Sequence, residues 1–178
     1  MPKSAVHRMT DWNSIVKKHG PVAWQAGFRL LGNPADADDC LQEALFTAFE
    51  MESKEPIRNW PALLQHLATA RALDILRRRK RQAASPLDLS EVSQSSGDRD
   101  NPLQRAADAE LVDRLLEAVT ELPPQQAQMF CLRHLSGLSY REISEALVVS
   151  VDAVGVNLHR AAAALRELLH RPAGRLRE

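Results

Sequence analysis

The chain is 178 residues long, with 23 Lys and Arg against 23 Asp and Glu, 44% apolar residues and two cysteines. That length accommodates one ordinary domain or two small ones of about 70–80 residues, and no apolar run approaches the roughly 18–20 residues that cross a bilayer. Met1 to Thr10 has no apolar stretch behind its basic residues, and Cys40 and Cys131 stand without C-x-x-C or His at ligand spacing; a secretory leader, a disulfide framework and a structural metal site all lack support, and a reducing cytoplasm is the expected compartment.

In chain order, Trp12, Ile15, Val16, Trp24, Phe28 and Leu31 suggest a helix pair broken or kinked at Gly20-Pro21. Asn33-Pro34 is a helix start, an N-cap followed by Pro at the first helical position, with Asp36 in the first turn. At about 100° per residue, Ala37, Cys40, Leu41, Ala44, Leu45 and Ala48 share one face. Asp36, Asp39, Glu43 and Glu50 form a stripe on another, with Phe46 beside it. A third helix begins near Pro61. It turns Trp60, Leu63, Leu64, Leu67, Ala68 and Ile75 to the core, with Arg71 and Asp74 inside the same arc as an expected semi-buried ion pair. Gln65, His66, Thr69, Leu73, Arg77 and Lys80 occupy the opposite side. Periodicity vanishes from about Gln82 to Asn101, a polar, Ser-rich stretch that reads as a linker.

Helices resume near Pro102 and run to about Leu169, interrupted at Leu122-Pro123-Pro124 and Leu135-Ser136-Gly137. Ser139 with Glu142 is a capping box, and Tyr140, Ile143 and Leu147 give the short helix behind it an inner face. Ser150 caps a longer helix whose Val154, Leu158, Ala161, Leu165 and Leu168 face inward. A short helix, a tight turn and a longer helix is helix-turn-helix spacing. In such units the second helix enters the major groove, which puts Ser150, Asp152, Ala153 and Val156 nearest DNA and His159 and Arg160 within reach of phosphate. The expected fold is all-α, two small helical domains (1–82 and 102–178) joined by a flexible linker (83–101).

The zero net charge is a cancellation. Between Ala35 and Glu55 seven acids face only Lys54, whereas from Arg71 to Arg81 six bases face only Asp74. Such a distribution suits one acidic surface for a protein and one basic surface for nucleic acid. No paired carboxylates, Gly-rich phosphate loop or His cluster argues for catalysis, and no cofactor or metal is expected.

The segment LPPQQAQMFCLRHLSGLSYREISEAL with SVDAVGVNLHRA resembles the promoter-binding C-terminal domain of bacterial sigma factors. Asn33-Pro34-Ala35-Asp36-Ala37-Asp38-Asp39 with Leu41-Gln42-Glu43-Ala44 resembles their core-polymerase-binding helix, and ATARALDILRRRKR their minus-ten and melting helix. Two matches in the right order, joined by a linker of suitable length, point to the extracytoplasmic-function (ECF) group.

The resemblance implies that Asp36, Asp39, Gln42, Glu43, Phe46 and Glu50 dock on the clamp helices of the largest RNA polymerase subunit. It implies that His66, Thr69, Arg77, Arg78, Lys80 and Arg81 face DNA on the minus-ten side. In the helix-turn-helix, Ser139, Tyr140, Arg141, Ser150, Asp152, Ala153, Asn157, His159 and Arg160 face the minus-thirty-five element. An anti-sigma partner is implied by the resemblance alone. The linker acids Asp88, Glu91, Asp98 and Asp100 fall where the family threads the polymerase channel, although a plain tether is the simpler reading.

The chain departs from the family pattern at Ala153, Gly155 and Asn157 in the recognition helix, at Val148 in the turn, and at Leu63 and Ala70 in the minus-ten helix. These departures sustain a second reading, a helix-turn-helix regulator or degenerate sigma-like protein that binds without directing initiation.

Overall fold

The computed structural model describes residues 10–83 and 102–170, the second segment in side-chain detail from residue 109 onward. The expected linker, its four acids and the basic tail beyond His170 lie outside the described residues. Seven helices and no strands make up the described chain: α1 (Trp12–Leu31), α2 (Pro34–Glu52), α3 (Trp60–Ala83), α4 (Pro102–Glu121), α5 (Pro124–His134), α6 (Tyr140–Leu147) and α7 (Val151–His170).

Local chemistry sets most of the boundaries. The Asp11 carboxylate accepts from Ser14 N at 3.2 Å to start α1, and left-handed Gly32 ends it by donating to Phe28 O. Asn33 Oδ1 accepts from Ala35 N at 2.8 Å with Pro34 in the first turn of α2, as the sequence predicts. Asn59 does the same for α3, taking the Ala62 N–H at 3.2 Å.

The expected break at Gly20-Pro21 does not occur, and α1 runs through Pro21 as one helix. Pro21 lies on the exposed side, where the carbonyl it leaves without a partner can meet water. Burial of Ile15, Ala23, Ala26, Leu30 and Leu31 along the opposite side offsets an interior proline cost of about 3 kcal/mol. Close approach of α1 to α2 depends on Gly27: a Cβ there would stand 3.2 Å from Cys40 Cβ.

One element joins the two halves. Helix α3 lies against α1 and α2 on one side and against α4, α5 and α6 on the other. Its inner face buries Leu63, Leu64 and Ala68, as the periodicity predicts, and Ala72 with them. Thr69 and Leu73, expected on the solvent side, are each only 1% exposed, because the C-terminal helices cover that side. Ala62 joins the second core, made by Met129, Leu132, Leu138, Ile143, Val154 and Leu158 of α5–α7 and the turn before α6.

The expected Arg71–Asp74 pair is also replaced. Arg71 Nε lies 2.8 Å from Glu43 Oε2 on α2, and Asp74 turns toward Arg77 at 3.9 Å. A partner across the helix interface reaches the Arg71 guanidinium more directly than one a turn further along its own helix. Pairing of Arg79 with Asp36 at 2.5 Å fits the same antiparallel register of α2 and α3.

Helix α6 ends at Val148, whose φ of 55° and ψ of 50° place a β-branched residue in the left-handed region. That conformation costs a non-glycine residue about 1–2 kcal/mol. Val148 is 88% exposed and contributes little packing in return. V148G should therefore raise the thermal midpoint, by a few degrees for a gain of about 1 kcal/mol; a lowered midpoint in thermal denaturation would show that the Val148 side chain stabilises the turn.

Candidate nucleic-acid and polymerase interfaces

The exposed ridge of α2 carries Asp39, Gln42, Glu43, Phe46, Phe49 and Glu50. Helical spacing puts these six on one face. Phe46 and Phe49 are 65% and 55% exposed, an aromatic area unusual on a free surface. Phe49 escaped the sequence reading, although its three-residue spacing from Phe46 was the signal that could have found it. Trp12 of α1 packs on it at 5.3 Å between ring centroids and holds it in place. The acids of α2 are not wholly free: in the stripe Asp36 pairs with Arg79 and Glu43 with Arg71, and outside it Asp38 accepts from the Trp24 indole at 2.7 Å.

On α3, the six residues assigned to DNA fall into two groups. Arg78 and Arg81 are exposed. Arg77 donates to the carbonyls of Thr120 at 3.4 Å and Leu122 at 3.2 Å, satisfying backbone acceptors left open where α4 ends. Lys80 Nζ lies 2.8 Å from Glu121 and 3.9 Å from Glu117. Thr69 is buried, and the His66 carbonyl accepts from Gln128 Nε2 of α5 at 3.5 Å. Four of the six thus face the C-terminal helices in this structure.

In the helix-turn-helix, α6 and α7 meet at 105°, within the range of DNA-reading units. The capping box forms in full: Ser139 Oγ accepts from Glu142 N, while Glu142 Oε2 accepts from Ser139 N at 2.8 Å and Oγ at 2.6 Å. Those bonds hold the Glu142 carboxyl below its ordinary pKa. Ser144 Oγ donates to Val149 O at 2.6 Å to brace the turn, and Ser150 Oγ accepts from Ala153 N at 3.1 Å to start α7.

Tyr140, expected on the inner face of α6, is instead 41% exposed beneath Arg133, whose guanidinium lies 5.5 Å from the ring centre. Being the first helical residue, it sits at the rim of the short helix, and Ile143 alone is fully buried there. Arg141 pairs with Glu145 at 3.2 Å, and Glu145 also accepts from Asn59 at 3.4 Å. Asn157 turns back along its own helix to donate to Ala153 O at 2.8 Å. Ser150, Val151, Asp152, Val156, His159 and Arg160 lie exposed, with Ala153 half-buried among them.

No group of His, Cys, Asp and Glu among the described residues could hold a metal ion, and no single described helix is long and apolar enough to cross a membrane.

Residues 15–82 match the family described as sigma-70 region 2, and residues 113–165 match sigma-70 region 4. The ECF RNA polymerase sigma factor SigE of Mycolicibacterium smegmatis is 31% identical over 163 residues, which are 90% of this chain and 62% of that protein. The RNA polymerase sigma-E factor of Streptomyces coelicolor is 32% identical over 160 residues, covering 89% of this chain and 86% of the relative. Among solved structures, the sigma factor RpoE of Bartonella quintana, in complex with the anti-sigma factor NepR, superimposes with a TM-score of 0.55 at 21% identity; the match covers 90% of this chain and 98% of that one. The fold and site thus define a two-part helical transcription factor. The chain belongs to the ECF group of the sigma-70 family, which binds RNA polymerase and recognises promoters.

His66 provides a pH signature for the packed state. Its Nδ1 has no hydrogen-bond partner, and burial lowers its pKa from 6.5 to about 4. A folded-state value below the unfolded one means that the unfolded chain takes up the proton first. The stability held by neutral His66 is therefore present above pH 6.5 and lost as pH falls toward 4. Thermal midpoints measured across that window should drop less for H66Q than for the parent chain; equal slopes would remove His66 from the linkage.

Proposed function

We propose that this chain is an ECF sigma factor whose α2 ridge docks on the clamp helices of the largest RNA polymerase subunit, while α3 and α7 address the two promoter elements. The observation that carries the reading is the combination of an exposed acidic and aromatic ridge on α2 with a fully capped helix-turn-helix on α6–α7, in family order. Opposite charge across such an interface accelerates encounter and sets register, whereas Phe46 and Phe49 supply area that leaves water on binding. Arg78 and Arg81 are positioned for phosphate. His66, Thr69, Arg77 and Lys80 join them only when α3 separates from α4 and α5, so promoter engagement requires the two halves to part. The protein works beside the polymerase, in the cytoplasm. An anti-sigma factor is the expected regulatory partner, by analogy with RpoE and its NepR complex.

The recognition helix has no Lys or Arg in its first two turns, which supports as a second reading a regulator that binds without directing initiation. Run-off transcription separates the two: core polymerase plus this chain should yield discrete transcripts from a promoter library, and binding without transcripts would favour the regulator.

Two substitutions test the surfaces. D39K combined with F46A should weaken capture by core polymerase at least about tenfold, the effect of removing a packed aromatic and a steering charge, with helical content unchanged in circular dichroism. Unaltered capture would remove the ridge from the interface. R78A with R81A should reduce the salt slope of promoter binding by about two, roughly one for each phosphate no longer neutralised; an unchanged slope would take both residues off the DNA.

A further inference from the structure

The recognition helix presents an unusual chemistry to the groove. Its arc at the N-terminal end carries Val151, Asp152 and Val156 exposed, the two valines at 46% and 49%, with half-buried Gly155 between them. None of these can make the bidentate contact by which Arg or Lys reads guanine or Asn or Gln reads adenine. Asn157, the one amide nearby, is half-buried and turned back along its own helix, donating to Ala153 O at 2.8 Å. Two kinds of base contact remain. An apolar side chain packs on the 5-methyl of thymine, and a carboxylate accepts from the cytosine amino group.

We propose that α7 selects its promoter element by packing Val151 and Val156 on thymine 5-methyl groups, while the Asp152 carboxylate repels the acceptor edge of guanine and favours cytosine. This inference rests on the assignment of α6–α7 as the upstream-element reader. Three features support the placement. Gly155, in the middle of the arc, lets the half-exposed Tyr140 ring pack on the backbone of α7, 3.7 Å from where a Cβ would stand, so the ring extends the apolar surface beside the valines. Ser139 and Arg141 on one side, and His159 and Arg160 on the other, flank the apolar arc with exposed polar and basic groups. That rim suits the two phosphate backbones of a groove better than the surface of a protein partner, where an apolar patch is met by apolar area and charged residues are depleted. Finally, Ser150 and the capping box hold the start of α7 and α6 in fixed geometry, so the valines keep their orientation without help from DNA.

The test uses the full chain with core polymerase and a promoter library randomised over the upstream element, the minus-ten segment held constant. Selected templates should be enriched in thymine and cytosine on one strand of that element. Resynthesis with deoxyuridine for thymidine in that element alone deletes only the methyl groups. It should weaken holoenzyme binding about fourfold per methyl contacted, the worth of one such group withdrawn from water. V151A and V156A should each shrink the thymine-to-uracil ratio toward one, with helical content unchanged in circular dichroism. Equal binding to thymine and uracil templates overturns the proposal. So does an undiminished ratio in both variants, which would give the valine arc to a protein partner. Transcripts without any enrichment upstream overturn the proposal and leave the sigma reading standing. No transcripts from any template would overturn both.

Discussion

A single helix buried on two sides governs this molecule. Helix α3 completes the N-terminal core through Leu63, Leu64, Ala68 and Ala72, and its other side, through Ala62, Thr69 and Leu73, is sealed by the C-terminal helices. Residues that bind promoter DNA in the proposed function are there used for folding. Arg77 neutralises the open end of α4, and Lys80 holds two of its glutamates. The interface is therefore polar at its edge and apolar in its middle, which is the composition of a contact that can be exchanged for another.

The electrostatics follow from the same arrangement. Because α2 and α3 run antiparallel, the acidic start of one meets the basic end of the other, and Asp36 and Glu43 spend part of their charge on Arg79 and Arg71. Ion pairs this exposed contribute about 0–1 kcal/mol each, so they align helices more than they stabilise them. What remains outward, Asp39 and Glu50 around Phe46 and Phe49, is the portion free to attract a basic partner. Burial pushes the Cys40 and Cys131 thiols up to about 11 and about 12, which keeps both protonated and chemically quiet inside the two halves.

Local rules made much of this legible in advance. The Asn33 cap, the Ser139–Glu142 box and the Ser150 start are short-range hydrogen-bond devices, and each formed where the residue spacing places it. Val148 already stood out as a departure from the family pattern in the turn, and its left-handed backbone makes that departure a strained one. What the sequence could not convey was anything depending on a distant partner. Leu73 and Thr69 look solvent-facing in a one-sided helix and become core only when α5 and α6 arrive. Arg71 has a carboxylate three residues away and finds a better one on α2. Pro21 predicts a break that tertiary burial overrides.

The two-sided burial of α3 is tested most directly by a distance. Spin labels at R58C, just before α3, and R141C, on α6, can be attached selectively because the native thiols are buried. In the free chain the labels should give one short, narrow distance distribution. In a transcribing complex with core polymerase and promoter that population should vanish in favour of a longer one. A short distance that survives intact in the transcribing complex would contradict the account.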